Sequence, residues 1–96
     1  KGPTLVGIDD MDIELPFGQN MLVVRHEDKP GAIGRAATFL GDEGINIANM
    51  VVGRNVVAGE PALMGFDLDQ PLSEAQVQAL RAIPGIEKAR FLQFLP

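Results

Sequence analysis

The first two apolar stretches of the chain have the period of a β-strand. Thr4-Leu5-Val6-Gly7-Ile8 is a short apolar run, and Met11-Asp12-Ile13-Glu14-Leu15 alternates apolar with acidic side chains. Asp9-Asp10 between them predicts a tight turn, so the pair reads as a β-hairpin. Pro16-Phe17-Gly18-Gln19-Asn20 breaks the pattern and reads as a linker. Met21-Leu22-Val23-Val24-Arg25-His26 is almost continuously apolar, which predicts a strand buried on both faces at the centre of a sheet. The period then changes. Ile33, Ala36, Ala37 and Leu40 stand at helical spacing, predicting a helix from Gly31 to Asp42. Pro30 falls at or just before its first turn, and Gly41 and Gly44 are candidate C-terminal caps.

Ile45 to Val52 reads as the next strand, Gly53 to Pro61 as a loop, and Ala62 to Asp69 as a further strand. In the last of these Ala62, Met64, Phe66 and Leu68 share one face, while Gly65, Asp67 and Asp69 share the other; this predicts a half-buried strand. Ser73 with Gln76 forms a capping-box signature, flanked by Leu72 and Val77 as a hydrophobic staple. Val77, Leu80 and Ile83 are the inward positions of that helix, and Pro84-Gly85 ends it. Ile86 to Leu95 is a last strand. From Met21 the order is β-α-β-β-α-β. This predicts an α+β, ferredoxin-like sandwich: a four-stranded antiparallel sheet with both helices on one face, preceded by the short hairpin. Residues 1–20 read as the end of a preceding domain with its linker, and residues 21–96 as the domain proper. A lone hairpin is marginal in water, so residues 1–20 are expected to finish a preceding sheet or to lean on the domain after them. The first residue is Lys1 rather than Met, and we expect the 96 residues to be a piece of a longer protein.

Composition narrows the function. Hydrophobic residues make up 46% with five Phe and no Trp or Tyr, so the core is aliphatic. A net charge of −5, with eight Lys and Arg spread along the chain, argues against nucleic-acid binding. The absence of Cys removes disulfides and thiolate metal sites, and fits a cytoplasmic protein. No apolar run has the length of a membrane span.

Catalysis finds little material. The chain has one His, no Cys, and only Thr4, Thr38 and Ser73 as hydroxyl residues. Ser73 is committed to a cap, Thr38 lies inside a helix, and no nucleophile–base constellation emerges. Carboxylates stand at no metal-ligand spacing, and neither a dinucleotide nor a Walker motif occurs, so the chain itself is expected to hold no metal and no cofactor. A binding site fits better. Residues 26–31 lie where a strand ends and a helix begins. There the N–H groups of Gly31, Ala32 and Ile33 are free to meet a carboxylate. Asp28 beside them would attract an ammonium. An amino acid carries both groups, and Asn46 adds an amide. The same residues have plainer uses: Asp28 as a helix cap, His26 as a packing residue, Asn46 as a turn residue.

The stretch Leu22-Val23-Val24-Arg25-His26-Glu27-Asp28-Lys29-Pro30-Gly31-Ala32-Ile33-Gly34, followed by Gly44-Ile45-Asn46-Ile47-Ala48-Asn49-Met50, resembles the ACT domain family. In particular it resembles the C-terminal regulatory ACT domain of D-3-phosphoglycerate dehydrogenases. The likeness continues through Gly53-Arg54, Ala62-Leu63-Met64 and Ile83-Pro84-Gly85-Ile86, and residues 1–20 are similar to the last strands of the domain preceding it in longer forms. The resemblance implies an allosteric L-serine site at a homodimer interface made by sheet edges, exerting feedback control on serine biosynthesis by an NAD-dependent parent enzyme. It implies His26, Asp28 and Asn46 as ligand-holding residues, with Pro30, Gly31, Ala32 and Ile33 around them and Asn46 contributed across the interface. The bacterial pattern has Asn where this chain has Asp28. Two alternatives share these motifs: the ACT-containing subunit of an L-serine dehydratase, and a ligand-free ACT dimerisation module.

Overall fold

The computed structural model describes residues 3–9, 11–27, 31–53 and 61–94. Within them the strands are β1 (Pro3–Ile8), β2 (Met11–Pro16), β3 (Asn20–His26), β4 (Ile47–Gly53), β5 (Ala62–Leu68) and β6 (Ile86–Gln93). The helices are α1 (Ala32–Asp42) and α2 (Glu74–Arg81). One four-stranded sheet has the order β4-β5-β3-β6 with every neighbouring pair antiparallel. This is the ferredoxin-like arrangement expected from the β-α-β-β-α-β order.

The ends of the helices are set by local chemistry. Ser73 caps α2 by accepting from Gln76 N at 3.1 Å, while Gln76 Oε1 accepts from Ser73 N at 2.9 Å. At the end of α1, Gly44 N donates to Gly41 O and Ile45 N to Leu40 O. That pair of bonds closes the helix and turns the buried Ile45 back onto Leu40 in the core. The buried face of α1 is Ala32, Ala36 and Leu40, with Ile33 and Phe39 half-buried beside it. It is thus rotated slightly from the stripe that the spacing predicted.

The sheet has two covered faces. Leu22 and Val24 of β3, with Met64, Phe66 and Leu68 of β5, meet Ala36, Leu40, Val77 and Leu80 of the helices. On the other face Met21, Val23 and Leu63 meet Val6, Ile8 and Leu15 of the hairpin. The hairpin therefore leans on the sheet, one of the two outcomes expected for it. Ile8 pairs with Met11 across a two-residue connection, and Asp9 takes a positive φ of 58° there. Asp9 also fastens the hairpin tip: its carboxylate accepts from Arg25 Nη1 at 2.6 Å and from Lys88 Nζ at 2.8 Å.

The hairpin also explains a departure from the expected half-burial of β5. Residues 62–66 and 68 are all buried, and only Asp67 is partly exposed. The face bearing Gly65 is closed by β2: a Cβ on Gly65 would lie 2.8 Å from Ile13 Cδ1. Backbone and side chain approach so closely there that no larger residue fits without a shift.

Candidate functional site

His26 ends β3, one of the two inner strands of the sheet, and only 2% of it is exposed. Alternation along β3 turns it toward the helix side, with Leu22 and Val24. A β-bulge lies beside it: Arg25 pairs with Lys88 but His26 with Ile86, leaving Glu87 as an extra residue on β6. His26 Nδ1 lies 2.8 Å from Glu27 O. A carbonyl only accepts, so Nδ1 carries the proton and donates. In a neutral ring Nε2 then offers a lone pair. Nε2 is buried and has no hydrogen-bond partner among the described residues. It can accept from an N–H or O–H donor of a ligand.

Gly31 stands just before α1 with φ 98° and ψ −24°, and its carbonyl accepts from Arg35 N at 2.9 Å. A side chain in that left-handed conformation is strained, which accounts for the glycine. The bond to Arg35 opens the helical ladder. Gly31, Ala32 and Ile33 precede it, so their N–H groups have no carbonyl behind them within the helix. Ala32 is buried, Ile33 is half-buried and Gly31 is exposed. Asp28 and Pro30, two of the expected ligand residues, lie outside the described residues.

Asn46 is exposed and far from this point. It precedes β4, where Ile47 pairs with Leu68; Leu68 also pairs with Asn20, at the other end of β3 from His26. Asn20 and His26 are six positions apart along the strand, about 20 Å at the usual rise. One chain therefore does not bring Asn46 to His26. Asn46 is nonetheless firmly held. Its Nδ2 donates to Asp69 Oδ2, its N donates to Gln70 Oε1 at 2.9 Å, and its O accepts from Asp69 N at 3.0 Å. A second bulge lies next to it, with Ala48 the extra residue between Ile47 and Asn49. Asp69 and Gln70 carry no signal of this in the sequence, because their role depends on a contact more than 20 residues away.

An open groove of about 620 Å³ runs along α1 beside the helix start, between Gly31, Gly34, Arg35 and Phe39 on one side and Ile83 and Pro84 on the other. Neither His26 nor Asn46 lines it. Among the described residues no helix is long and apolar enough to cross a membrane.

The profile of the ACT domain family matches residues 20–85. The chain is 36% identical over 85 residues to a D-3-phosphoglycerate dehydrogenase of Synechocystis, covering 88% of this chain and 15% of that protein. It is 36% identical over 86 residues to the D-3-phosphoglycerate dehydrogenase of Methanocaldococcus jannaschii, covering 88% of this chain and 16% of that protein. Against the enzyme of that name from Escherichia coli K12 the identity is 29% over 93 residues, 96% of this chain and 22% of the enzyme. The chain thus spans between about one seventh and one quarter of the length of these relatives. The match, the sheet order and the placing of His26 at a strand end and Gly31 at a helix start agree, and the chain belongs to the ACT domain family.

Proposed function

We propose that this chain is an amino-acid-binding regulatory domain that responds to L-serine in a cytoplasmic, NAD-dependent D-3-phosphoglycerate dehydrogenase. The observation that carries the binding site is the buried Nε2 of His26 at the end of β3, which has no hydrogen-bond partner among the described residues. A buried polar atom without a partner is costly, and a ligand donor would relieve that cost. The ligand's carboxylate meets the N–H groups at the start of α1 that have no carbonyl behind them within the helix. Its hydroxyl or ammonium donates to His26, and Asp28 attracts the ammonium. The parent enzyme is taken from the names of the relatives.

Asn46 joins the site through a homodimer. β3 and β4 are both antiparallel to β5, so they run in the same direction. Gly53, the end of β4, lies at the level of Leu63, next to the Ala62–His26 pair. β4 is an edge strand, with Met50 and Val52 45% and 37% exposed. Two β4 edges pairing antiparallel about a twofold axis would bring the Asn46 end of one copy to the His26 end of the other. Ligand bound across that axis favours one relative placement of the two copies, which is the means of regulation. Calorimetry with L-serine, glycine and L-alanine tests the assignment. L-Serine is expected to bind best, and His26→Ala is expected to weaken it by about tenfold, the worth of one buried hydrogen bond. Absence of heat with L-serine while another amino acid binds would overturn the serine reading.

A further inference from the structure

Arg35 makes contacts that helix formation does not require. It stands one turn into α1, and its side chain runs back to the helix start. There Nε donates to Pro84 O, 49 residues away, at 3.0 Å. A Cβ built on Gly31 would lie 2.7 Å from its Nη1, and one built on Gly85 would lie 2.9 Å from its Nη2. The guanidinium therefore rests against two glycines, both left-handed, with φ of +98° and +91°. The main chain joins the same two places, since Glu27 N donates to Gly85 O at 2.9 Å. Glu27 O in turn accepts from His26 Nδ1. A continuous set of bonds thus leads from Arg35 through the Pro84–Gly85 turn and Glu27 to the imidazole. Ordering a long exposed side chain costs rotamer freedom, and a charge-assisted bond to a carbonyl offsets that cost.

We propose that Arg35 is a positioning residue for the amino-acid site: its guanidinium fastens the start of α1 to the turn between α2 and β6, and through Glu27 fixes the tautomer and orientation of His26. This rests on the reading that His26 and the start of α1 hold the ligand. The planar fork matters as well as the charge. Lysine would keep a cation but not the two Nη groups that lie against Gly31 and Gly85.

The test is NMR on the full 96-residue chain without ligand, comparing wild type, Arg35→Ala and Arg35→Lys. Exchange of the Glu27 N–H is expected to rise about tenfold in Arg35→Ala, the scale of one lost charge-assisted bond, with Arg35→Lys in between. The Asp69 N–H, bonded to Asn46 O at the far end of the sheet, is the internal reference and should not change. The ¹⁵N shifts of the His26 ring should move toward mixed tautomers. Equal acceleration at Glu27 and Asp69 would be general destabilisation and would overturn the proposal, as would no change at either. If Arg35→Ala does not fold, Arg35→Lys decides by the same comparison. L-Serine calorimetry then separates the two ideas. A wild type that binds no amino acid contradicts the ligand reading, while the exchange data still judge the clamp. Altered exchange with unchanged serine affinity overturns the positioning role.

Discussion

Replacing Leu15 by alanine tests whether the hairpin is part of the folded unit. Leu15 is fully buried and belongs to the cluster of Val6, Ile8, Met21, Val23 and Leu63 between the hairpin and the sheet. Its Cδ2 would lie 3.4 Å from a Cβ on Gly65, so it packs directly on β5. Truncating a fully buried leucine costs about 2–5 kcal/mol, depending on how far the surroundings close over the gap. The hairpin is a separate two-stranded layer and can settle toward β5. We therefore expect the lower part of that range, about 2–3 kcal/mol. With a urea slope of about 1 kcal/mol per molar for a domain of this size, the unfolding midpoint should fall by about 2–3 M. Leu5→Ala is the matched control. Leu5 lies on the outer face of the hairpin, 63% exposed, and its truncation should change stability by no more than about 0.5 kcal/mol. Equal, small shifts for both variants would refute the packing of the hairpin on the sheet and the two-sided burial of β3 and β5.

Two further outcomes follow from the charges and the caps. The Asp9 carboxyl is held below its ordinary value of 3.8, first by the hydrogen bond from Lys88, with Arg25 and the two positive charges adding to it against some desolvation. A lowered folded-state value means that the native chain binds this proton less readily than the unfolded one. The stabilisation is therefore complete above the unfolded value and is lost as the pH falls through the folded one. Asp9→Asn should flatten the acid limb of a stability–pH profile from urea melts and leave its slope near neutrality unchanged. Ser73→Ala removes the side-chain half of the α2 capping box and should lower stability by about 1 kcal/mol in the same melts, whereas Ser73→Asp should restore most of it.

What could be read from the chain alone was whatever depends on neighbours in sequence. The Ser73–Gln76 box and the Gly44 closure act within five residues, so their patterns announce the helix ends directly. The run Met21–Val24 announced a central strand because both of its faces are apolar. β5 was harder. Gly65 and Asp67 look like a solvent face, and only the hairpin, some 50 positions earlier, closes over the glycine. The candidate site divides in the same way. His26 and Gly31 stand at one strand–helix junction and were visible as a pair. That Asn46 sits at the opposite end of the sheet comes from the common direction of β3 and β4, which no local pattern carries. No local pattern marks Arg35, because its partners at Pro84 and Gly85 reach it only through the tertiary fold.

The shared site can be tested by mixing. In the proposed twofold dimer each site would take His26 from one copy and Asn46 from the other. Dimers of His26→Ala alone, or of Asn46→Ala alone, then contain only damaged sites. When the two variants are unfolded together in urea and refolded as a mixture, half of the dimers formed at random are mixed, and each mixed dimer regains one intact site. Titration with L-serine should show no wild-type-affinity sites in either variant alone and about one quarter of the wild-type number in the equimolar mixture. A mixture that binds only as the average of its two components would contradict an amino-acid site built across two copies of this chain.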